Sequence, residues 1–167
     1  MVHLNKSSFV VEWLVHHKKV SCEKIKFKTH SGKYCYALVH PDLGRVSEYQ
    51  DYLLILIERN AAAKTVASQA QDLKRFFEYY FTFADFQQLC ELKTSSTPLH
   101  SIITSFPSYL IHGQTSSSEF ACFAARMNQS KTVSPTTAAR ILSTVNSFLK
   151  ASSDLNSSLI RLKQEGL

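Results

Sequence analysis

Residues 64–81 read KTVASQAQDLKRFFEYYF, and the spacing within them decides the fold class. Val66, Gln69, Leu73, Phe76 and Tyr80 recur at intervals of three and four, which predicts a helix over about 65–81 with these side chains turned inward. The opposite side carries Lys64, Ser68, Gln71 and Arg75 at the same period. A second stretch, SPTTAARILSTVNSFLK at 134–150, has the same construction. Ser134 can cap free amides, Pro135 at the first helical position loses no hydrogen bond, and Ala138, Ile141, Val145, Phe148 and Leu149 form the buried stripe. Its polar side shows Thr136, Arg140, Ser143, Ser147 and Lys150.

Outward from these two segments, most of the chain is also helical. Tyr49, Tyr52, Leu53, Leu56 and Ile57 predict a helix from Ser47 to about Arg59. Short helices are expected over 84–93 and inside the polar 114–132 connection, one or two pieces over 99–112 ended by Gly113, and a last one over 155–162. In front of them, Ile25, Phe27 and Thr29 alternate with Lys24, Lys26 and Lys28. A turn at Gly32 and an apolar run from Tyr34 to Val39 follow, so this part reads as a β-hairpin with one lysine-studded face. Phe9 to Val15 is a weaker helical segment. Pro41, Asp42 and Gly44 separate hairpin from helices, giving a basic segment over 1–46 and a helical domain over 47–167.

The charge is unevenly placed. Of 167 residues, the first 46 hold eight basic side chains against Glu12, Glu23 and Asp42, a balance of +5, whereas the other 121 hold eleven against ten. Clustered lysines attract phosphate over about a Debye length, or form an ordinary solvated face. Lys24, Lys26, Lys28 and Lys33 are the candidate arm contacts.

Chemistry of other kinds lacks its residues. Four glycines, at 32, 44, 113 and 166, cannot build a phosphate-cradling loop. Cys22, Cys35, Cys90 and Cys122 form no close pair, and the seven histidines are scattered, so no metal or cofactor is expected. Glu48 and Asp51, the closest carboxylates, fall on an exposed helical turn. The aromatics Phe76, Phe77, Tyr79, Tyr80, Phe81 and Phe83 would serve as core or as a stacking platform, with core favoured because their helix needs one. No apolar run approaches the roughly 20 residues of a membrane span and no secretory signal opens the chain, so a cytoplasmic protein without membrane or small-molecule partners is expected.

Two stretches resemble the N-terminal core-binding (SAM-like) domain of tyrosine recombinases and phage-type integrases. Lys64-Thr65, Asp72-Leu73 and Phe76 look like one family helix; Ser134, Thr137, Arg140, Leu142, Ser143 and Phe148 look like another, in the family's order. The strand from Tyr34 to Val39, then Asp42, Gly44 and Tyr52-Leu53, is similar to the family's lead-in. Gln69 stands where the family usually has an aromatic, and 114–132 is longer than the minimal pattern.

The resemblance implies a mainly α, four- to five-helix SAM-like bundle with a small N-terminal hairpin. It would hold duplex DNA for a catalytic domain, itself lacking the nucleophile and its cluster. On this reading the chain is an excised fragment or a natural short form, not an enzyme by itself. The DNA-binding candidates are Lys64, Thr65, Ser68, Gln71 and Arg75 on one helix, with Thr136, Arg140, Ser143, Ser147 and Lys150 on the other. Lys131, Thr132 and Ser134 lie beside the second helix's N-terminus. Cations mixed with hydroxyls and an amide suit phosphates and base edges. The alternative is a module for docking other recombinase protomers or an accessory factor, through the last helix.

Overall fold

The structure is a computed structural model that describes the backbone of residues 21–90 and 98–164 and the side chains of 21–83 and 102–153. The helix expected over Phe9 to Val15 lies outside the described residues. The chain is mainly helical with a small antiparallel sheet near its N-terminus, as expected. It divides into two compact units. One holds Cys22–Phe76 and the chain from Ala139 onward; the other holds Phe77–Ala138.

In the first unit, β1 (Glu23–Lys28) and β2 (Tyr34–His40) pair antiparallel, with Lys24 opposite Leu38, Lys26 opposite Tyr36 and Lys28 opposite Tyr34. The turn is closed by Thr29 N donating to Lys33 O at 2.8 Å, and Gly32 accepts a φ of +83° that a side chain would oppose. A two-residue β3 (Gly44–Arg45) then pairs with Val39 and His40. Pro41, Asp42 and Gly44, expected only to punctuate, thus form a tight return. His40 Nδ1 accepts the Asp42 and Leu43 amides at 3.1 and 3.0 Å, and Gly44 sits at φ +78°.

Helix α1 (Ser47–Glu58) packs on β2 and buries Tyr49, Tyr52, Leu53 and Ile57. Asn60, at φ +59°, follows its end, where Arg59 N bonds Ile55 O and Ala61 N bonds Leu56 O. The long helix α2 (Ala63–Cys90) supplies Val66, Ala70, Leu73 and Phe76 to the core of this unit. Ile141, Val145 and Phe148 of another long helix, α5 (Pro135–Gln164), complete it. The Tyr49 hydroxyl donates to Ala70 O at 2.8 Å, and Tyr52 meets Phe148 edge-on with centroids 5.6 Å apart.

The second unit is built on aromatic packing. Tyr79 is fully buried, its ring 5.1, 4.5 and 4.7 Å from those of Phe106, Tyr109 and Phe120. The partners come from α3 (Pro98–His112) and α4 (Glu119–Asn128), joined by a 3-10 turn at Gly113–Thr115. Ser118 caps α4 by accepting from the Ala121 amide at 3.3 Å. Buried Thr82 and Asn128 bond to each other, with Asn128 Nδ2 donating to Thr82 Oγ1 at 3.2 Å.

Three sequence expectations are corrected. The helix expected to stop near Phe81 runs on through Cys90, absorbing most of the separate piece expected over 84–93; the rest of that piece, 91–93, lies outside the described residues. The helices expected over 134–150 and 155–162 are one, α5. Tyr80, expected in the core, is 39% exposed, and the adjacent Tyr79 is buried in its place.

Candidate nucleic-acid interface

The first unit gathers most of the candidate residues. Lys64, Thr65, Ser68 and Gln71 of α2 are exposed and Arg75 is half-buried; Arg140, Ser143, Ser147 and Lys150 of α5 are exposed. Helical spacing places each set along one side of its helix because the other side is needed for the core.

The two helices meet through Arg140. Its Nη1 donates to Ser68 Oγ at 3.0 Å and to the carboxylate of Asp72, with which it forms a salt bridge. Thr144 Oγ1 donates to the same Asp72 oxygen at 3.0 Å. Asp72 is buried, so its charge needs both donors; the Arg140 side chain is 51% exposed and keeps part of its donor fork toward water. Thr144, absent from the expected polar stripe, lies in the core because it serves Asp72.

Next to this crossing lies a second polar cluster. The Tyr52 hydroxyl donates to Gln69 Oε1 at 2.8 Å, and Ser147 also hydrogen-bonds this phenol. Burial raises the Tyr52 pKa, and the Ser147 bond partly offsets the rise. Gln69 thereby packs as a polar partner of Tyr52. Ser147 is drawn into the same cluster.

The hairpin joins α2. Lys24 Nζ donates to Gln71 Oε1 at 2.9 Å while lying 5.2 Å from the centre of the Tyr36 ring. Lys26 Nζ sits 4.3 Å over the Tyr34 ring. Lys33 Nζ donates to Asn60 Oδ1 at 3.1 Å, pinning the hairpin turn to the end of α1. Lys28 is exposed beside the same turn. The lysine face of β1 is therefore continuous with the polar side of α2.

Tyr34 and Tyr36, which the sequence reading did not single out, share the lysine face of the hairpin. Folding the strands back about Gly32 puts every second residue of β2 on the lysine face, and that pattern was available in the spacing. The interleaving of cation and ring became visible only with the register.

Lys131, Thr132, Ser134 and Thr136 belong to the other unit and are exposed there. Ser134 Oγ accepts the Thr137 amide at 3.2 Å, so the expected helix cap is formed. Val133 N bonds Leu110 O at 2.9 Å, which fixes the lead-in. The side chains of 155–162, the expected docking surface, lie outside the described residues.

Among the described residues, no three His, Cys, Asp or Glu side chains lie together as a metal site requires, and no helix is long and apolar enough to cross a membrane. Compared with protein-family models, curated proteins and solved structures, the chain matches none of them.

Proposed function

We propose that this chain is the DNA-holding, core-binding part of a site-specific recombinase of the tyrosine class, which positions duplex DNA for a separate catalytic domain and for neighbouring protomers. It performs no strand chemistry by itself. The observation that carries the reading is the Lys24–Gln71 hydrogen bond, which makes the lysine row of the hairpin and the Lys64, Ser68, Gln71, Arg75 side of α2 one surface. Arg140 adjoins that surface through Ser68. Ammonium and guanidinium groups meet phosphates on such a surface, while hydroxyls and the amide offer donors and acceptors to base edges.

The test is binding to a labelled duplex by fluorescence anisotropy over a range of KCl concentrations. The expected log-log slope is about −0.9 per phosphate neutralised. Lys64→Glu combined with Arg75→Glu is expected to abolish duplex binding and leave the sedimentation profile unchanged. Failure to bind duplex at low salt, or binding indifferent to the double substitution, would refute the reading.

A further inference from the structure

The hairpin presents a feature that duplex binding does not require. Lys24, Lys26 and Lys28 stand on one face of β1, and the β2 residues opposite the last two are Tyr36 and Tyr34. The two ammonium–ring contacts run diagonally, Lys24 to Tyr36 and Lys26 to Tyr34, so cations and rings alternate along the ribbon. Tyr34 is 52% exposed. From Cys22 to His40 four lysines face a single acid, Glu23, which alternation puts on the opposite face.

We infer that this Lys/Tyr ribbon is a track for single-stranded DNA, with successive phosphates on the Lys24, Lys26, Lys28 row and bases stacked on Tyr34 and Tyr36. Residues two apart on a strand are about 6.8 Å apart. That interval is close to the spacing of successive phosphates along one nucleic-acid chain, and each ammonium therefore meets its own phosphate.

The rings decide against an acidic peptide, which has nothing to stack on them. A duplex can meet the lysine row of this face through its phosphates but leaves the rings idle, since paired bases hide their flat sides. In the free protein the Lys24 and Lys26 ammonium groups lie over the Tyr36 and Tyr34 rings; an incoming base takes the place of either one, and the released ammonium turns to the phosphate. Base–aromatic stacking of this kind tolerates any sequence. The choice of DNA over RNA rests on the duplex reading above; the single-strand preference rests on the ribbon alone.

The experiment uses the full 167-residue chain and anisotropy with a labelled 15-nucleotide oligo-dT and a duplex of equal length. Tyr34→Ala is expected to weaken oligo-dT binding roughly tenfold or more while changing duplex binding less than twofold, and Tyr34→Trp is expected to keep it. Lys26→Gln with Lys28→Gln is expected to lower the salt slope for oligo-dT by about 1.4, at about 0.7 per phosphate on a single strand. Circular dichroism melts of each variant check that the fold is kept.

Oligo-dT affinity unchanged by Tyr34→Ala overturns the inference. So does competition by polyglutamate of equal charge as strong as by unlabelled oligo-dT. Tighter binding of oligo-U than of oligo-dT overturns the assignment to DNA. Tyr34-dependent binding of oligo-dT without any duplex binding leaves the ribbon standing and removes the core-binding reading. The two outcomes are thus distinguishable.

Discussion

Arg140 donates to a carboxylate that is almost sealed from water: the Asp72 side chain is 4% exposed and that of Arg140 51%. The pair therefore has two consequences. It holds α5 to α2, and it reduces the charge that Arg140 presents outward, so the cation is worth less to a polyanion than a lone arginine would be.

Reversing that charge is expected to act first on stability. Arg140→Glu places a second carboxylate against Asp72, and loss of a buried charge's partner costs about 3 kcal/mol or more. Lys64→Glu, on an exposed turn, is expected to stay within about 0.5 kcal/mol. Urea midpoints of the two variants separate the cases; equal midpoints would show that Asp72 does not need Arg140.

The Tyr52 phenol is held by Gln69 and Ser147 in a mostly buried setting. Tyr52→Phe removes the donor and leaves Gln69 Oε1 short of a partner, an expected loss of about 1–2 kcal/mol. Tyr52→Phe with Gln69→Leu is expected to recover part of it, because neither polar group then remains. A denaturant series on the two single variants and the double variant measures the coupling directly.

In the other unit, Gly113 is buried at φ +54°, and a Cβ there would meet Thr132 Cγ2 at 3.1 Å. Gly113→Ala is expected to cost about 1–2 kcal/mol from the backbone conformation alone. Thr132→Ser in the Gly113→Ala background removes the opposing methyl and is expected to return only the steric share. Thermal melts of the two variants report it.

Burial raises the phenol pKa of Tyr49, Tyr52 and Tyr79 and the thiol pKa of Cys35. Each group has a higher pKa folded than unfolded, so its contribution is complete below the unfolded value and fades as pH rises past it. For the phenols that window opens near pH 10. Tyrosinate absorbance is expected to rise in two stages, the exposed rings first and the buried ones together with loss of helical circular dichroism. A single smooth titration of all seven tyrosines with the helical signal intact would contradict it.

Much of this architecture was legible in the residue pattern. Ser134-Pro135 marked the start of α5, the apolar spacing marked α1 from Ser47, and alternation about Gly32 marked the hairpin. The helix ends were harder. Nothing between Phe81 and Cys90 breaks a helix, and Thr82, which competes for backbone bonds, satisfies its hydroxyl on Glu78 O at 2.7 Å within α2. Ser152 and Ser153 likewise carry no stop signal strong enough to divide α5. At the candidate site, single-residue character was readable but partnership was not. Arg140 looked like a free cation because Asp72 lies 68 residues away in sequence, and Gln69 looked misplaced because its partner Tyr52 is on another helix.

In the sheet order β1-β2-β3, β1 is the outer strand, and among the described residues its far side has no paired neighbour. An open edge of this kind invites another chain to dock on it, and rows of lysine are a common deterrent. The lysines of β1 thus also act as gatekeepers of colloidal stability. Neutralising them, by acetylation or by glutamine, would register as turbidity on concentration even in preparations that contain no nucleic acid.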